Sequence, residues 1–297
     1  MRLPLPMDDR EAVRCPGGLY VVATPIGNLE DITLRAIKTL AGVDLIAAED
    51  TRHTARLLSH YRIGTPLISC HAHNELQRTR DLIDKIRSGA AVALVSDAGT
   101  PSVSDPGYRL VRAAVEQGLP VIPIPGASAV VTALCASGLP TDAFLFLGFA
   151  PKKKGQRMQL LKSLAGEPRT LIFYESPRRV VAFLDEIRSA MGDRPAVLAR
   201  EMTKLHEEFI RSSLSEIKTL LTGRSHVKGE CTLLVQGPGE ADAKPETGLI
   251  AALRQALAQP GAHLSDLAKT YARLYKLPKK TVYEIALNIQ KEAQKSS

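Results

Sequence analysis

The sequence of 297 residues has no tryptophan, only six phenylalanines and seven tyrosines, four cysteines, and no run of about 18 apolar residues such as a membrane span requires. Each shortage removes a class of protein. Without a long apolar run no transmembrane helix and no membrane partner are expected, and residues 1–15 carry prolines and three acidic residues in place of an apolar signal core. Cys15, Cys70, Cys135 and Cys231 form no CxxC pair, so neither a zinc cluster nor a disulfide framework is expected. The seven scattered histidines show no metal-ligand spacing, and no metal is expected. Reduced cysteines point to a reducing compartment, and the location expected is cytoplasmic. GxGxxG and Gly-Lys-Ser/Thr loops are also missing, which argues against NAD, ATP and GTP. With aromatics at 4%, stacking of bases on exposed aromatic platforms is not expected to dominate any nucleic-acid binding.

What is present is ample for folding: 44% of residues are hydrophobic, and the length suits two ordinary domains. The formal charge is +8, which favours a polyanionic partner where the basic residues cluster. Residues 245–297 hold eight Lys or Arg against four Asp or Glu, half of that excess.

From residue 18 to about 136, short β-branched or apolar runs alternate with amphipathic stretches. Strands are expected at 19–23, 43–48, 66–69, 91–95 and 120–124, with helices at 34–40, from 51, at 74–87, at 105–117 and after Pro125. Gly89 and Gly118 fall where helices would stop, and Asp105-Pro106 reads as a helix cap followed by a first helical residue. This βαβ rhythm implies a mainly parallel sheet covered on both faces. A second unit, with strands at 144–149, 170–175, 195–202, 206–212 and 230–236, has too few helices for that arrangement. It implies a mixed sheet, with an antiparallel hairpin joining the runs at 197–202 and 207–210. The glycine, proline and charge content after Gly237 reads as a linker. Beyond it Leu264, Leu267, Ala268 and Tyr271, then Val282, Ile285, Ala286 and Ile289, recur at helical spacing. The expected division is an extension at 1–17, α/β domains at 18–138 and 139–237, a linker at 238–247 and a helical domain at 248–297.

Four loops follow expected strands, where ligands of open α/β sheets bind. They are Thr24-Pro25-Ile26-Gly27-Asn28, the stretch 96–107 beginning Ser96-Asp97-Ala98-Gly99-Thr100-Pro101, Pro125-Gly126-Ala127-Ser128-Ala129, and Glu49-Asp50-Thr51-Arg52. Small residues let backbone amides approach a ligand, although each loop alone reads as ordinary turn chemistry.

These loops, together with Phe173-Tyr174-Glu175-Ser176-Pro177-Arg178-Arg179 and Arg200-Glu201-Met202-Thr203-Lys204-Leu205-His206-Glu207-Glu208, resemble the rRNA branch of the tetrapyrrole-methylase superfamily, the small-subunit (16S) rRNA (cytidine-2′-O)-methyltransferases. The resemblance covers roughly residues 18–237 and extends to the helical tail. It implies two α/β domains with S-adenosyl-L-methionine folded in the cleft between them, a small C-terminal helical domain, a homodimer, and methylation of a cytidine ribose in the decoding region. The partner it implies is small-subunit rRNA or the assembled small subunit. It also implies a cofactor pocket of Pro25, Ile26, Gly27, Asp97, Gly99, Thr100, Val103, Ser128, Ala129 and Tyr174. The corrin and siroheme branches carry Gly-x-Gly-Pro-Gly and Gly-Asp-Pro where this chain has Thr24-Pro25-Ile26-Gly27-Asn28 and Gly99-Thr100-Pro101, which counts against a tetrapyrrole substrate.

Methyl transfer to a hydroxyl is an in-line displacement that needs positioning and a proton acceptor. Lys204, Glu201 and Asp50 are the candidate catalytic residues, Lys204 as a desolvated lysine whose pKa falls far enough to take a proton; a salt-bridge role is the competing reading for each. Lys152, Lys153, Lys154 and Arg157, with Lys279 and Lys280, are candidate phosphate contacts, against the competing reading of a solvated face. Two other functions compete: methylation of a small tetrapyrrole precursor, and a ribosome-assembly factor without catalysis.

Overall fold

The computed structural model describes residues 14–238, 245–257, 263–275 and 277–295. Residues 1–13 of the expected extension and 239–244 of the expected linker lie outside the described residues. The first alternation forms β1 (Gly18–Val22), α1 (Leu34–Gly42), β2 (Leu45–Ala48), α2 (Thr51–His60), β3 (Leu67–Ser69), α3 (Glu75–Arg87), β4 (Ala91–Val95), α4 (Tyr108–Glu116), β5 (Val121–Ile124) and α5 (Ala129–Ser137). Its sheet runs β3-β2-β4-β1-β5, with every pairing parallel. Successive strand side chains point to opposite faces, so a strand covered on both sides must be apolar throughout. β4 shows this, since all five of its residues are buried. Ala91, Ala93 and Val95 pack with Ile37 and Leu40 of α1, while Val92 and Leu94 meet Leu82 and Ile83 of α3 and Leu110 of α4.

The second unit comprises β6 (Phe144–Phe149), α6 (Lys154–Ser163), β7 (Thr170–Glu175), α7 (Val180–Met191), β8 (Pro195–Arg200), β9 (Glu208–Ser213), α8 (Leu214–Thr222) and β10 (Cys231–Val235). Its strands run β6-β7-β10-β8-β9, with only β6 and β7 parallel. The expected hairpin is β8–β9, in register from Pro195 opposite Ser213 to Arg200 opposite Glu208. One face of this mixed sheet packs Phe173, Leu198 and Leu233 against Phe183, Leu184 and Ile217 of the helices. The opposite face carries Ile172, Val197, Ala199 and Leu234, and it rests on Val130, Ala133 and Leu134 of α5. The last helix of the first alternation is therefore the wall of the second sheet, and this sets the carboxyl edge of one sheet beside the ends of β6 and β7.

After the linker, α9 (Pro245–Leu257), α10 (Leu264–Leu274) and α11 (Lys279–Lys295) enclose a core of their own around Leu249, Leu253, Ala268, Val282 and Ala286. The helix expected over 105–117 is shorter at its start. α4 begins at Tyr108 with Gly107 in the cap position, so Asp105 is not its cap. Because the buried residues of the tail core come from α9 to α11 alone, truncation after Gly237 is expected to leave one cooperative thermal transition within about 4 °C of the full chain. A melt that loses cooperativity would show that the tail is part of the main core.

Candidate functional site

At the carboxyl edge of the parallel sheet the four loops are sewn into one body. Thr24 and Gly99 form an isolated antiparallel bridge, with Thr24 N donating to Gly99 O at 2.8 Å and Gly99 N to Thr24 O at 3.0 Å. Thr24 is buried, and its hydroxyl donates to Ser96 O. Gly99 sits at φ +78, a left-handed conformation that costs glycine nothing but strains a side-chain-bearing residue. Thr100 Oγ1 donates to Ala127 O, joining the loop after β5. Asp50 N donates to Asp97 Oδ1 at 3.0 Å and Asp97 N to Glu49 Oε2 at 3.4 Å, joining the loop after β2.

The second unit closes on this body through the turn between β8 and β9. Asn28 N donates to Thr203 Oγ1 at 3.0 Å, and a Cβ added at Gly27 would lie 2.6 Å from Lys204 Cγ and 2.9 Å from Met202 O. Only glycine fits beneath that turn. Glu201 and Thr203 both hold positive φ, of 51° and 66°, a strain characteristic of functional turns. The turn is held by Glu201 Oε1, which accepts from Glu230 N and from Lys204 Nζ at 2.9 Å, while Lys204 Nζ also donates to Glu230 Oε2 at 2.9 Å. An open cleft of about 510 Å³ lies here, bounded by Ile26, Pro125, Gly126, Ala127, Thr132 and Thr203. From the other sheet, Tyr174 reaches the start of α5, where the Val130 amide meets its hydroxyl. Gly148 at the end of β6 abuts Ser104.

Carboxylates gather on the loops after β2 and β4. Burial pushes Glu49 up, and the neighbouring Asp105, Asp97 and Asp50 charges push the same way against one hydrogen bond from the Asp97 backbone. Burial also raises Asp105, opposed by a hydrogen bond from Ser96 and reinforced by Asp97. Tyr174 is pushed up to about 12, first by burial and then by the nearby Asp105 charge. Asp105 does not cap α4. Its vacated capping role falls to Glu75 of α3, a buried carboxylate whose Oε1 accepts from Gly107 N at 3.0 Å and Arg109 N at 3.1 Å.

The expected pocket residues fall on this one body and on Tyr174 facing it. Pro25, Ile26 and Gly99 are buried, Asp97, Thr100, Ser128, Ala129 and Tyr174 are half-buried, and Gly27 and Val103 are exposed. The expected proton acceptors require correction. Burial pulls the Lys204 pKa down, but its hydrogen bonds and charges from Glu230 and Glu201 outweigh it and the net direction is up, so Lys204 stays an ammonium. The Lys204 hydrogen bond holds Glu201 below the usual carboxylate range. Asp50 caps α2 through Arg52 N and pairs with the Arg52 guanidinium, which drives it far below that range. The expected lowering of the Lys204 pKa is thus reversed, and Glu201 and Asp50 are held ionised by their cationic partners. Arg157, expected as a phosphate contact, instead forks onto Glu186 at 2.5 and 2.8 Å and donates to Pro151 O and Lys152 O. Lys152, Lys153 and Lys154 are exposed beside the end of β6, and Lys279 and Lys280 are exposed at the start of α11. Glu49, Asp105 and Glu75 were not singled out from sequence as site residues: Asp105 reads as a helix cap, and Glu75 lies unremarked at the start of the helix expected over 74–87.

Glu75→Ala is expected to leave the buried Gly107 amide and the part-buried Arg109 amide without their acceptor and to destabilise the chain by about 2–6 kcal/mol in urea unfolding, roughly 1–3 per unsatisfied donor. Wild-type stability would show that water replaces the carboxylate and that the 96–107 loop does not depend on it.

Residues 18–218 match the family described as tetrapyrrole (corrin/porphyrin) methylases. Among curated relatives, ribosomal RNA small subunit methyltransferase I of Micromonospora olivasterospora is 48% identical over 90% of this chain and 86% of its own. The protein of that name from Synechocystis is 47% identical over 92% of this chain and 99% of its own. Solved structures share the fold: a cobalt precorrin-4 methyltransferase (TM-score 0.56, 17% identity, 73% of this chain and 94% of that one) and a uroporphyrin-III C-methyltransferase from Thermus thermophilus complexed with S-adenosylhomocysteine (0.53, 21%, 74% and 97%). With its paired sheets, its sewn loops and near-half identity to relatives along nine-tenths of its length, the chain belongs to the tetrapyrrole methylase family, among the small-subunit rRNA methyltransferases I.

Proposed function

We propose that this chain transfers the methyl group of S-adenosyl-L-methionine to the ribose 2′-hydroxyl of a cytidine in the decoding region of small-subunit (16S) rRNA. It acts in the cytoplasm as a homodimer, on the rRNA or the assembled small subunit. The observation that carries this reading is identity of 45% or more, over most of the chain, to relatives named for methylation of small-subunit rRNA.

The gathered residues fit such a donor. Asp97, Glu49 and Asp105, on the loops after β2 and β4, offer negative charge to a sulfonium and an ammonium, while Ile26 and Ala127 offer apolar surface in the cleft beside Thr203. Pro25, Gly27, Gly99, Thr100, Val103, Ser128, Ala129 and Tyr174 complete the proposed lining. When bound, the donor supplies a methyl group on a cationic sulfur. The chain's own tasks are to hold the hydroxyl in line and to take up its proton. Asp105 is the proposed acceptor, since it is half-buried, raised in pKa and near enough to Tyr174 for its charge to act on that hydroxyl. Lys204, fixed as an ammonium by Glu201 and Glu230, secures the turn over Gly27, and the exposed lysines elsewhere supply positive charge for phosphates. Lys152, Lys153, Lys154, Lys279 and Lys280 extend that charge along the RNA backbone.

Transfer of labelled methyl is measured with three acceptors: small ribosomal subunits, protein-free 16S rRNA and a uroporphyrin precursor. Label is expected in rRNA, recovered as an alkali-resistant dinucleotide because 2′-O-methylation blocks cleavage there. Label in the tetrapyrrole would support the small-molecule reading, and donor binding without transfer to any acceptor would support an assembly factor.

Asp105 separates chemistry from stability. A carboxylate raised by burial disfavours folding once it ionises, so its cost is absent below the ordinary carboxylate range and fully present above the raised pKa. Asp105→Asn is therefore expected to melt at pH 7 no lower than the wild type, yet to lose about a hundredfold or more in kcat at saturating donor and RNA. An undiminished kcat would remove Asp105 as the acceptor.

A further inference from the structure

Phenylalanine is scarce in this chain, yet Phe149 is left 58% exposed at the carboxyl end of β6. Its position is fixed. Phe149 pairs with Tyr174 across the parallel β6–β7 ladder, and its ring meets the Tyr174 ring edge-on at 5.6 Å. Phe146 braces the same tyrosine at 4.9 Å. These rings share the sheet face that rests on α5, since Phe146 and Tyr174 join the Val130, Ala133 and Leu134 cluster. Phe149 lies one residue after Gly148, whose close neighbour is Ser104, itself next to Asp105. The ring therefore stands beside Tyr174, where the end of β6 meets the 96–107 loop.

Three residues further along, Lys152, Lys153 and Lys154 are all exposed. Of the basic groups nearby, Arg157 is tied to Glu186, so the positive charge left for a ligand sits on the lysines. A rigid, half-exposed aromatic ring with phosphate-binding cations a few residues away is the pairing that single-stranded nucleic-acid sites use, with the ring stacking a base and the cations tracking the backbone. We propose that Phe149 is the stacking platform for an unpaired nucleobase of the RNA acceptor, with Lys152–Lys154 on the adjoining phosphates, and that this stack turns the neighbouring ribose toward Asp105. The assignment rests on the RNA reading above, and it revises the expectation that aromatic stacking plays no large part. Composition hides the platform because a single ring suffices once the fold has pinned it.

The chain has no tryptophan, so Phe149→Trp creates a single fluorescent reporter at the platform. Its emission is followed on adding a single-stranded cytidine-containing oligoribonucleotide and, separately, S-adenosylhomocysteine. Quenching by the oligoribonucleotide and none by S-adenosylhomocysteine is the expected result. Quenching by S-adenosylhomocysteine alone would assign the ring to the adenine of the donor and overturn the proposal, as would no quenching by either. In parallel, Phe149→Ala is expected to bind the oligoribonucleotide about tenfold to a hundredfold more weakly with unchanged donor affinity, and Phe149→Trp to restore binding. An alanine variant that keeps its circular dichroism and binds RNA as the wild type does would overturn it. Quenching reports stacking without catalysis, whereas absence of wild-type methyl transfer to rRNA would strike the underlying reading instead.

Discussion

Two backbone hydrogen bonds between Thr24 and Gly99 hold the site together. β1 and β4 are neighbours in the sheet, so the loops leaving them are side by side, but adjacency alone does not fix loops. The bridge does, because it satisfies four peptide groups that a binding loop would otherwise turn to solvent. From this fixed point order spreads outward through Thr100 to the loop after β5 and through Asp97 to the loop after β2. Gly27 then offers a bare surface on which the 201–207 turn of the second unit can seat. Substitution at either glycine would strike folding and binding together, since one requires a positive φ and the other an absent Cβ.

Charge is sorted by depth. Acids whose ionisation is made costly by burial, Glu49 and Asp105, stand half-buried on the loops after β2 and β4, and the lysines of the 152–154 stretch stand exposed after β6. A cationic donor and a polyanionic acceptor would meet in that gradient from opposite sides. The ionisable residues of the 201–208 turn belong to neither layer, because Lys204 is neutralised by Glu201 and Glu230 and serves to fix the turn.

The alternation of apolar runs made the parallel sheet legible, since each strand covered on both faces must be apolar throughout, as Ala91–Val95 is. The β8–β9 hairpin was legible from the short chain between its strands, and the tail helices from their spacing. The four loops were legible as a set because all follow strands. What could not be read was where a polar side chain spends its hydrogen bonds. Asp105 followed by Pro106 has the local form of a helix cap, yet Gly107 takes the cap position and Glu75, thirty residues earlier in the chain, supplies the cap. Arg157 has the form of a phosphate ligand, but Glu186 of the next helix claims it. Lys204 was expected to lose its proton through burial, and two carboxylates that meet it only in the fold reverse the direction. In each case the deciding partner is distant or opposite in the structure, and local pattern carries no record of it.

The most direct measurement maps ribose methylation by mass spectrometry on small-subunit rRNA from cells that have or lack this chain. One cytidine in the decoding region carrying a 2′-O-methyl group only when the chain is present, and regaining it when purified protein and S-adenosyl-L-methionine are added to the unmodified subunits, is the result expected. Identical methylation in both samples would contradict the proposed reaction, whatever the fold.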